Sequence, residues 1–245
     1  MRALLLGIMC WASVGIAQTP INKTIAVSAN QKIQMHFDYP NLIRVSTWDK
    51  SEISIQGTVS INGGENDDAF VLDASTSGNV VLINSQIKSM KKLPHRITVM
   101  KDGKKTVFKN TAEWRKYKTD YHDKNNWMSE SVDIEITLDI KAPKNIDSRV
   151  ESVYGMVEVK DFVGPIVVDA TYGGVDASLI EKNVGELNAE TDFGQIYSNL
   201  DAKVSGGRVE DFHTEVAIKP GTGSRYSFES KYGNVYLRKQ GNYFE

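Results

Sequence analysis

The chain has 245 residues, one Cys, and 29 Lys plus Arg against 31 Asp plus Glu, for a net charge of −2. That balance argues against nucleic acid or an acidic surface as the main partner, and a single cysteine excludes an intrachain disulfide framework. The length suffices for one elongated domain with its own core.

Met1-Arg2 precedes an apolar run from Ala3 to Ala17 that closes on the small residues Gly15 and Ala17. One positive charge, a short apolar stretch and small terminal residues read as a secretory signal peptide over 1–17. Fifteen apolar residues are short for a bilayer, and no later segment is apolar enough, so no transmembrane span is expected. Cys10 falls inside this peptide, and Gly7-Ile8-Met9 ahead of it do not form a lipoprotein box, so no lipid anchor is expected. The mature protein would be exported, to the periplasm or the cell surface, and held together by burial and backbone pairing alone.

Residues 18–87 read as short strands. Ile33 to Phe37, Ile43 to Trp48, Ile53 to Ile61, Phe70 to Ala74 and Val80 to Ile87 are rich in β-branched and aromatic residues. Tyr39-Pro40-Asn41, Asp49-Lys50, Asn62-Gly63-Gly64 and Ser77-Gly78-Asn79 break them. They serve either as early, less regular rungs of the repeat described below or as a sheet packed on its end.

Residues 89–128 interrupt this rhythm. Ile97 to Met100 and Thr106 to Phe108 flank Asp102-Gly103, a hairpin signal because Gly103 takes positive φ cheaply. Asn110 stands three before Glu113, an N-cap arrangement for a helix running to about Tyr121. Trp114, Tyr117 and Tyr121 fall on one side, with Arg115, Lys116 and Lys118 opposite. From Lys88 to Asn125 ten Lys and two Arg face four acids, a net of +8, which leaves about −10 on the rest. Trp114, Arg115, Lys116, Tyr117, Lys118 and Tyr121 form a candidate anionic-ligand patch for lipid headgroup or acidic glycan. The alternative is a cap that shields one flank or edge of the stacked sheets, its aromatics buried and its lysines solvated.

Val132 to Ile140 alternates apolar and polar without a flaw and leads through Lys141-Ala142-Pro143 into a repeat. GPIVVDATYGGV (Gly164 to Val175) and GELNAETDFGQI (Gly185 to Ile196) are the clearest copies, joined by IDSRVESVYGMV (Ile146 to Val157) and SRYSFESKYGNV (Ser224 to Val235). The third, fifth and seventh places hold Ile166/Leu187/Tyr226, Val168/Ala189/Phe228 and Ala170/Thr191/Ser230, which share one face of a strand. An aromatic–Gly pair follows each: Tyr154-Gly155, Tyr172-Gly173, Phe193-Gly194 and Tyr232-Gly233. The glycines lie 18, 21 and 39 apart. Leu200 to Val204 with Gly206-Gly207 reads as a degenerate rung in the long gap. A unit this short buries its apolar face only by stacking on its neighbours. The expected fold is therefore all-β: a single-stranded, β-helix-like β-solenoid over 18–245, with a small hairpin–helix insertion at about 89–128.

The units Val153-Tyr-Gly-Met-Val-Glu-Val159, Tyr172-Gly-Gly-Val-Asp-Ala177 and Tyr232-Gly-Asn-Val-Tyr-Leu237 resemble the bacterial putative-adhesin domain of unknown function. So do the lead-in Ile136 to Pro143 and Ser46 to Glu52. The resemblance implies an exported β-solenoid at the envelope or cell surface in an adhesive or scaffolding role. It brings no catalytic residues.

Nothing in the chain requires a cofactor. His36, His95, His122 and His213 lack the spacing of a zinc site, so no metal is expected. Asn62 to Asp68 is acidic but lacks the order of a calcium loop and reads as a solvated turn. No Ser elbow, phosphate loop or dinucleotide fingerprint is present. The catalytic alternative is a polysaccharide-active β-helix enzyme. It would draw on Glu158 and Asp176 as neighbours on adjacent rungs, but no basic helper is visible beside them. The corner aromatics have a mechanical reading as a stacked ladder, preferred here to a sugar-binding stripe. A non-catalytic protein follows, meeting envelope glycan, lipid headgroup or another surface protein through a rigid sheet face.

Overall fold

The computed structural model describes residues 18–118 and 127–240. The expected signal peptide, Tyr121 and His122 lie outside them. The first strands are β1 (Thr19–Ala26), β2 (Lys32–Phe37), β3 (Leu42–Trp48), β4 (Glu52–Ile61), β5 (Phe70–Ser77) and β6 (Val80–Ile87). The insertion supplies β7 (Arg96–Lys101), β8 (Lys104–Phe108), α1 (Thr111–Lys118) and β9 (Trp127–Ser131). Next come β10 (Ile134–Pro143), β11 (Ser148–Ser152), β12 (Met156–Lys160), β13 (Ile166–Ala170), β14 (Val175–Leu179), β15 (Val184–Thr191) and β16 (Ile196–Ser198). The chain closes with β17 (Val204–Glu210), β18 (His213–Ile218), β19 (Ser224–Ser230) and β20 (Val235–Lys239). The class is all-β, with one α-helix among the described residues.

Two large sheets share one core. The first runs β1-β4-β10-β3-β12-β14-β20-β16, and the second runs β17-β18-β15-β19-β13-β11-β2-β6-β5. Each repeat copy gives its first strand to the second sheet, turns at its aromatic–Gly corner, and gives its next strand to the first sheet. The residues 32–48 do the same through Tyr39-Pro40, pairing in parallel with the first repeat copy, so this early segment follows the path of the repeat. Strands β1, β4, β5, β10, β17 and β18 each make antiparallel pairs, so the sheets are mixed rather than uniformly parallel.

The order of rungs in space differs from their order in the chain. β19 lies between β13 and β15, and β20 lies between β14 and β16. The last copy is thus inserted between two earlier ones. Ile166 stands opposite Tyr226, and Tyr226 opposite Leu187. The three residues read as one column do form one, in the order Ile166, Tyr226, Leu187. The repeat put these residues in one column without fixing their order, because a stack needs matched faces and not chain order.

The column through Met35, Val150, Val168, Phe228 and Ala189 is buried throughout. Its side chains alternate in bulk, Phe228 sitting beside Ala189, which keeps the core filled at close packing. Tyr226 is 1% exposed, and its hydroxyl donates to the Phe162 carbonyl at 2.6 Å. Burial pushes that phenol up to about 12.

Residues 204–218 are not a rung. They form the antiparallel hairpin β17/β18 at the end of the second sheet, with every residue of β17 exposed. Gly206-Gly207 sit within that hairpin and stand in no corner.

The insertion is larger than a hairpin plus helix, since β9 pairs with β7 to make a separate three-stranded sheet, β8-β7-β9. Its helix spans Thr111–Lys118, capped by Asn110 Oδ1, which accepts from the Ala112 and Glu113 amides at 3.0 Å. Arg96 donates to Glu65 at 2.6 Å, Lys105 to Asp133 and Glu135 at 2.5 and 2.7 Å, and Asn62 to the Pro94 carbonyl at 2.9 Å. These bonds anchor the insertion to the 62–67 turn and the start of β10. None of these four bonds reaches the edge strands β1, β5, β16 or β17, and Met90 and Leu93 at the root of the insertion pack against the main core.

The 62–67 turn is solvated at Gly63 and Glu65 but not throughout. Asn62 is 5% exposed and Asp67 9%. Asp67 Oδ1 accepts from the Ile61 amide at 2.6 Å, and Asn62 Oδ1 accepts from the Asp133 amide at 3.1 Å. These acidic and amide side chains replace water for backbone groups at the foot of the first sheet.

Candidate functional site

The corner begins with a hydroxyl. Ser152, Thr191 and Ser230 end their strands fully buried, and each oxygen accepts from the glycine amide three residues on, at 3.3, 3.0 and 2.9 Å. Thr191 and Ser230 also donate to the carbonyl of the corner glycine one rung away, Gly233 and Gly173, at 2.9 and 2.7 Å. Small hydroxyl residues therefore stand here because they satisfy buried backbone on two rungs at once. The glycines are required by close approach. A Cβ on Gly155, Gly173, Gly233 or Gly194 would come closer than 3.0 Å to the carbonyl oxygen of Pro40, Gly155, Gly173 or Gly233 respectively.

With the backbones locked at this spacing, the preceding aromatics stack on the outside. The line runs Tyr39, Tyr154, Tyr172, Tyr232, Phe193, with centroids 5.7, 5.3, 5.1 and 5.1 Å apart and planes within 18°. Phe212, from the β17–β18 turn, extends it at 5.6 Å with a 32° tilt. The expected ladder exists. Tyr154, Tyr172 and Phe193 are each more than half exposed, as is Phe212. Because ring faces cover one another, the stripe offers ring edges and hydroxyls to a partner rather than the open faces on which a sugar stacks. Truncating Tyr172 to Ala removes two stacked pairs. Urea denaturation should show a loss of about 1–3 kcal/mol, and an unchanged midpoint would deny the ladder a mechanical role.

The outer face of the first sheet carries charge in bound form. Glu158 stands opposite Asp176, as the adjacent-rung reading expects. Basic helpers are present after all: Arg44 donates to Glu158 at 3.1 Å and to Asp139 at 3.2 Å, and Arg238 donates to Asp176 at 2.7 Å. Those arginines arrive from distant strands, which is why the local sequence hides them.

On the second sheet one register row reads His36, Glu151, Asp169, Glu229, Glu190, Glu215 across six strands. Arg149 pairs with Glu151 at 2.8 Å and lies against Asp169. The Arg149 hydrogen bond holds the Glu151 carboxyl below its ordinary value. Burial raises Asp169, with Glu229 and Glu151 adding to the rise and Arg149 opposing it. Burial followed by Glu190 and Asp192 also raises Glu229. His36 is bracketed, Nδ1 to Glu151 at 3.1 Å and Nε2 to Asp38 at 3.0 Å.

A carboxyl raised in the folded state binds its proton more tightly there than in the unfolded chain. Acidification from neutrality through the folded value of Asp169 therefore adds stability, until the ordinary carboxylate value is reached. Glu151 works the other way and gives up its contribution only at lower pH. Calorimetry from neutrality down to the ordinary carboxylate range should show Asp169→Asn, permanently neutral, lacking the part of the wild-type stabilisation on acidification that Asp169 supplies. Parallel curves for the two proteins would refute the assignment.

Of the sequence-predicted patch, the structure brings Trp114 and Tyr117 inward. Both pack on Phe108, at 5.4 and 4.8 Å between centroids, over Ile97 and Val99. Arg115 and Lys116 are exposed on the opposite side of α1, and Lys118 closes the helix. The aromatics thus build the small core of the insertion and do not interleave with the lysines at its surface. Among the described residues of this module, the exposed aromatic is Trp127, 62% exposed.

These features define an all-β protein of two mixed sheets with a long aromatic corner. No protein-family model matches the chain, and no curated protein matches it. A putative cell adhesion protein from Clostridium sporogenes ATCC 15579 is similar in structure at 9% identity and a TM-score of 0.44, over 91% of this chain and all of that one. A putative adhesin from Bacteroides fragilis NCTC 9343 is similar at 10% identity and a TM-score of 0.22, over 92% of this chain and all of that one. No helix among the described residues is long and apolar enough to cross a membrane.

Proposed function

We propose that this is an exported, non-catalytic binding or scaffolding protein of the bacterial envelope, adhesin-like, whose core is a β-solenoid of five stacked rungs. It works in the periplasm or at the cell surface after removal of residues 1–17. Its mechanism is multivalent contact, in which weak identical contacts repeated at rung spacing act together. The observation that carries the reading is the corner stripe: six rings in one line, most of them about half exposed or more. Continuous apolar stripes on a soluble surface mark interaction sites. Partners are envelope glycan, lipid headgroup or another surface protein.

The second reading is a polysaccharide-active enzyme, favoured by Glu158 and Asp176 standing opposite each other on one outer face with Arg44 and Arg238 beside them.

Arrays of envelope glycans and anionic phospholipids test the proposal. Tyr172→Ser/Tyr232→Ser, checked by circular dichroism for retained strand content, should bind at least tenfold more weakly than wild type to whichever surface the wild type prefers. Replacing residues 96–131 by a Gly-Ser linker separates any contribution of the basic insertion. Equal binding by the corner variant removes the stripe from the mechanism, and a wild type that binds nothing on the arrays removes glycan and lipid headgroup as partners.

A further inference from the structure

The row of carboxylates on the second sheet changes character toward the β15/β18 end. Glu151 and Asp169 share Arg149, and on the other sheet Asp139, Glu158 and Asp176 are held by Arg44 and Arg238. No arginine or lysine among the described residues is paired with Glu190 or Asp192. Among the described residues, the basic group that meets them is an imidazole. His213 Nδ1 lies 3.0 Å from Asp192 Oδ1 and 3.7 Å from Glu190 Oε1. One ligand atom from each of the three lies within 4.8 Å of the others.

The contrast with His36 is informative. Its two ring nitrogens point to different acids, Nδ1 to Glu151 and Nε2 to Asp38, so no single ion can sit between all three groups. At His213 one nitrogen faces both acids, the arrangement in which an ion replaces the proton. The three groups come from β15, the corner after it and the start of β18, elements joined by backbone pairing in which Thr191 stands opposite Thr214. Access is open: a concavity of about 300 Å³ lies against Asp192 and His213, walled by Phe193 and Phe212. Glu215 and Glu229 flank Glu190 on the neighbouring strands, on the same face.

We propose that Glu190, Asp192 and His213 form a binding site for a divalent transition metal of the zinc class. The donor set selects the ion. An imidazole nitrogen with two carboxylate oxygens suits Zn²⁺, whereas Ca²⁺ takes oxygen ligands alone. The ion neutralises the acids at the end of the carboxylate row and ties the β17/β18 hairpin to the outermost rung. Sequence spacing hides the site, because 21 and 23 residues separate His213 from Asp192 and Glu190 and only the strand pairing brings them together.

Isothermal titration of the untagged full chain with Zn²⁺, with Ca²⁺ in a second arm, tests the site. One Zn²⁺ per chain is expected, bound at least tenfold more weakly by His213→Ala and by Asp192→Asn, with His36→Ala as wild type. All three positions are partly exposed, and melts without metal verify that each variant folds. Undetectable Zn²⁺ binding by the wild type overturns the proposal. So does Zn²⁺ binding that survives both site variants, or Ca²⁺ binding tighter than Zn²⁺ and indifferent to His213→Ala.

Discussion

Gly173→Ala is expected to destabilise the protein by about 3 kcal/mol, a fall of roughly 6–12 °C in Tm for a chain of this size. The added methyl would press on the Gly155 carbonyl oxygen and carbon and on the Met156 amide, none of which belongs to a flexible side chain. The Gly155 oxygen accepts from Ser152, and the Gly173 carbonyl accepts from Ser230, so the corner cannot open without breaking buried hydrogen bonds on both neighbouring rungs. Gly206→Ala is the control. A Cβ there meets only the Ala217 Cβ at 4.0 Å, ordinary contact, and should shift the midpoint by no more than a few tenths of a kcal/mol. Equal effects at the two positions would show that glycine entropy, not rung spacing, sets the corner sequence.

Removal of residues 224–240 and removal of residues 180–223 should have opposite outcomes. The first deletes the rung between β13/β14 and β15/β16, including Tyr226 and Phe228, whose loss as a single aromatic core side chain costs about 3–5 kcal/mol. That exceeds what a domain with 5–15 kcal/mol of total stability tolerates when several such residues go together. Residues 184–223 should then be digested by a protease back to about Leu179. The second deletion takes away the outermost rung and the β17/β18 hairpin but leaves β19 on β13 and β20 on β14. The step from β14 to β19 then equals the step from β12 to β13, so the five-residue connection 161–165 can be copied to join them. That shortened chain should still unfold cooperatively, at reduced Tm. Comparable proteolysis of the two deletions would mean that the inserted rung is not what holds the end of the stack.

The strands of residues 33–87 were legible from alternation, and the columns through Ile166, Val168 and Ala170 from a period near twenty. The aromatic ladder followed from Tyr172-Gly173 and its copies. What could not be read was long-range pairing. Nothing near Tyr226 tells it to lie between Ile166 and Leu187, since all three accept the same apolar neighbours. The hairpin at Gly206-Gly207 passed for a degenerate rung because its apolar spacing suits either pairing. Trp114 and Tyr117 mark one side of a helix equally well whether that side meets Phe108 or a ligand. The His213 cluster and the arginines beside Glu158 and Asp176 share this cause: the partners are set by register across strands, and register is a property of the assembled sheet.

The inserted rung also governs how the molecule bears load. β20 is paired along both its edges, with β14 on one side and β16 on the other, and β19 is paired likewise with β13 and β15. A pull along β20 must shear two hydrogen-bonded seams together, where a strand at the rim of a sheet would peel from one. The ending of the described chain is thereby clamped in the interior of the stack, and tension applied there is shared by rungs on either side.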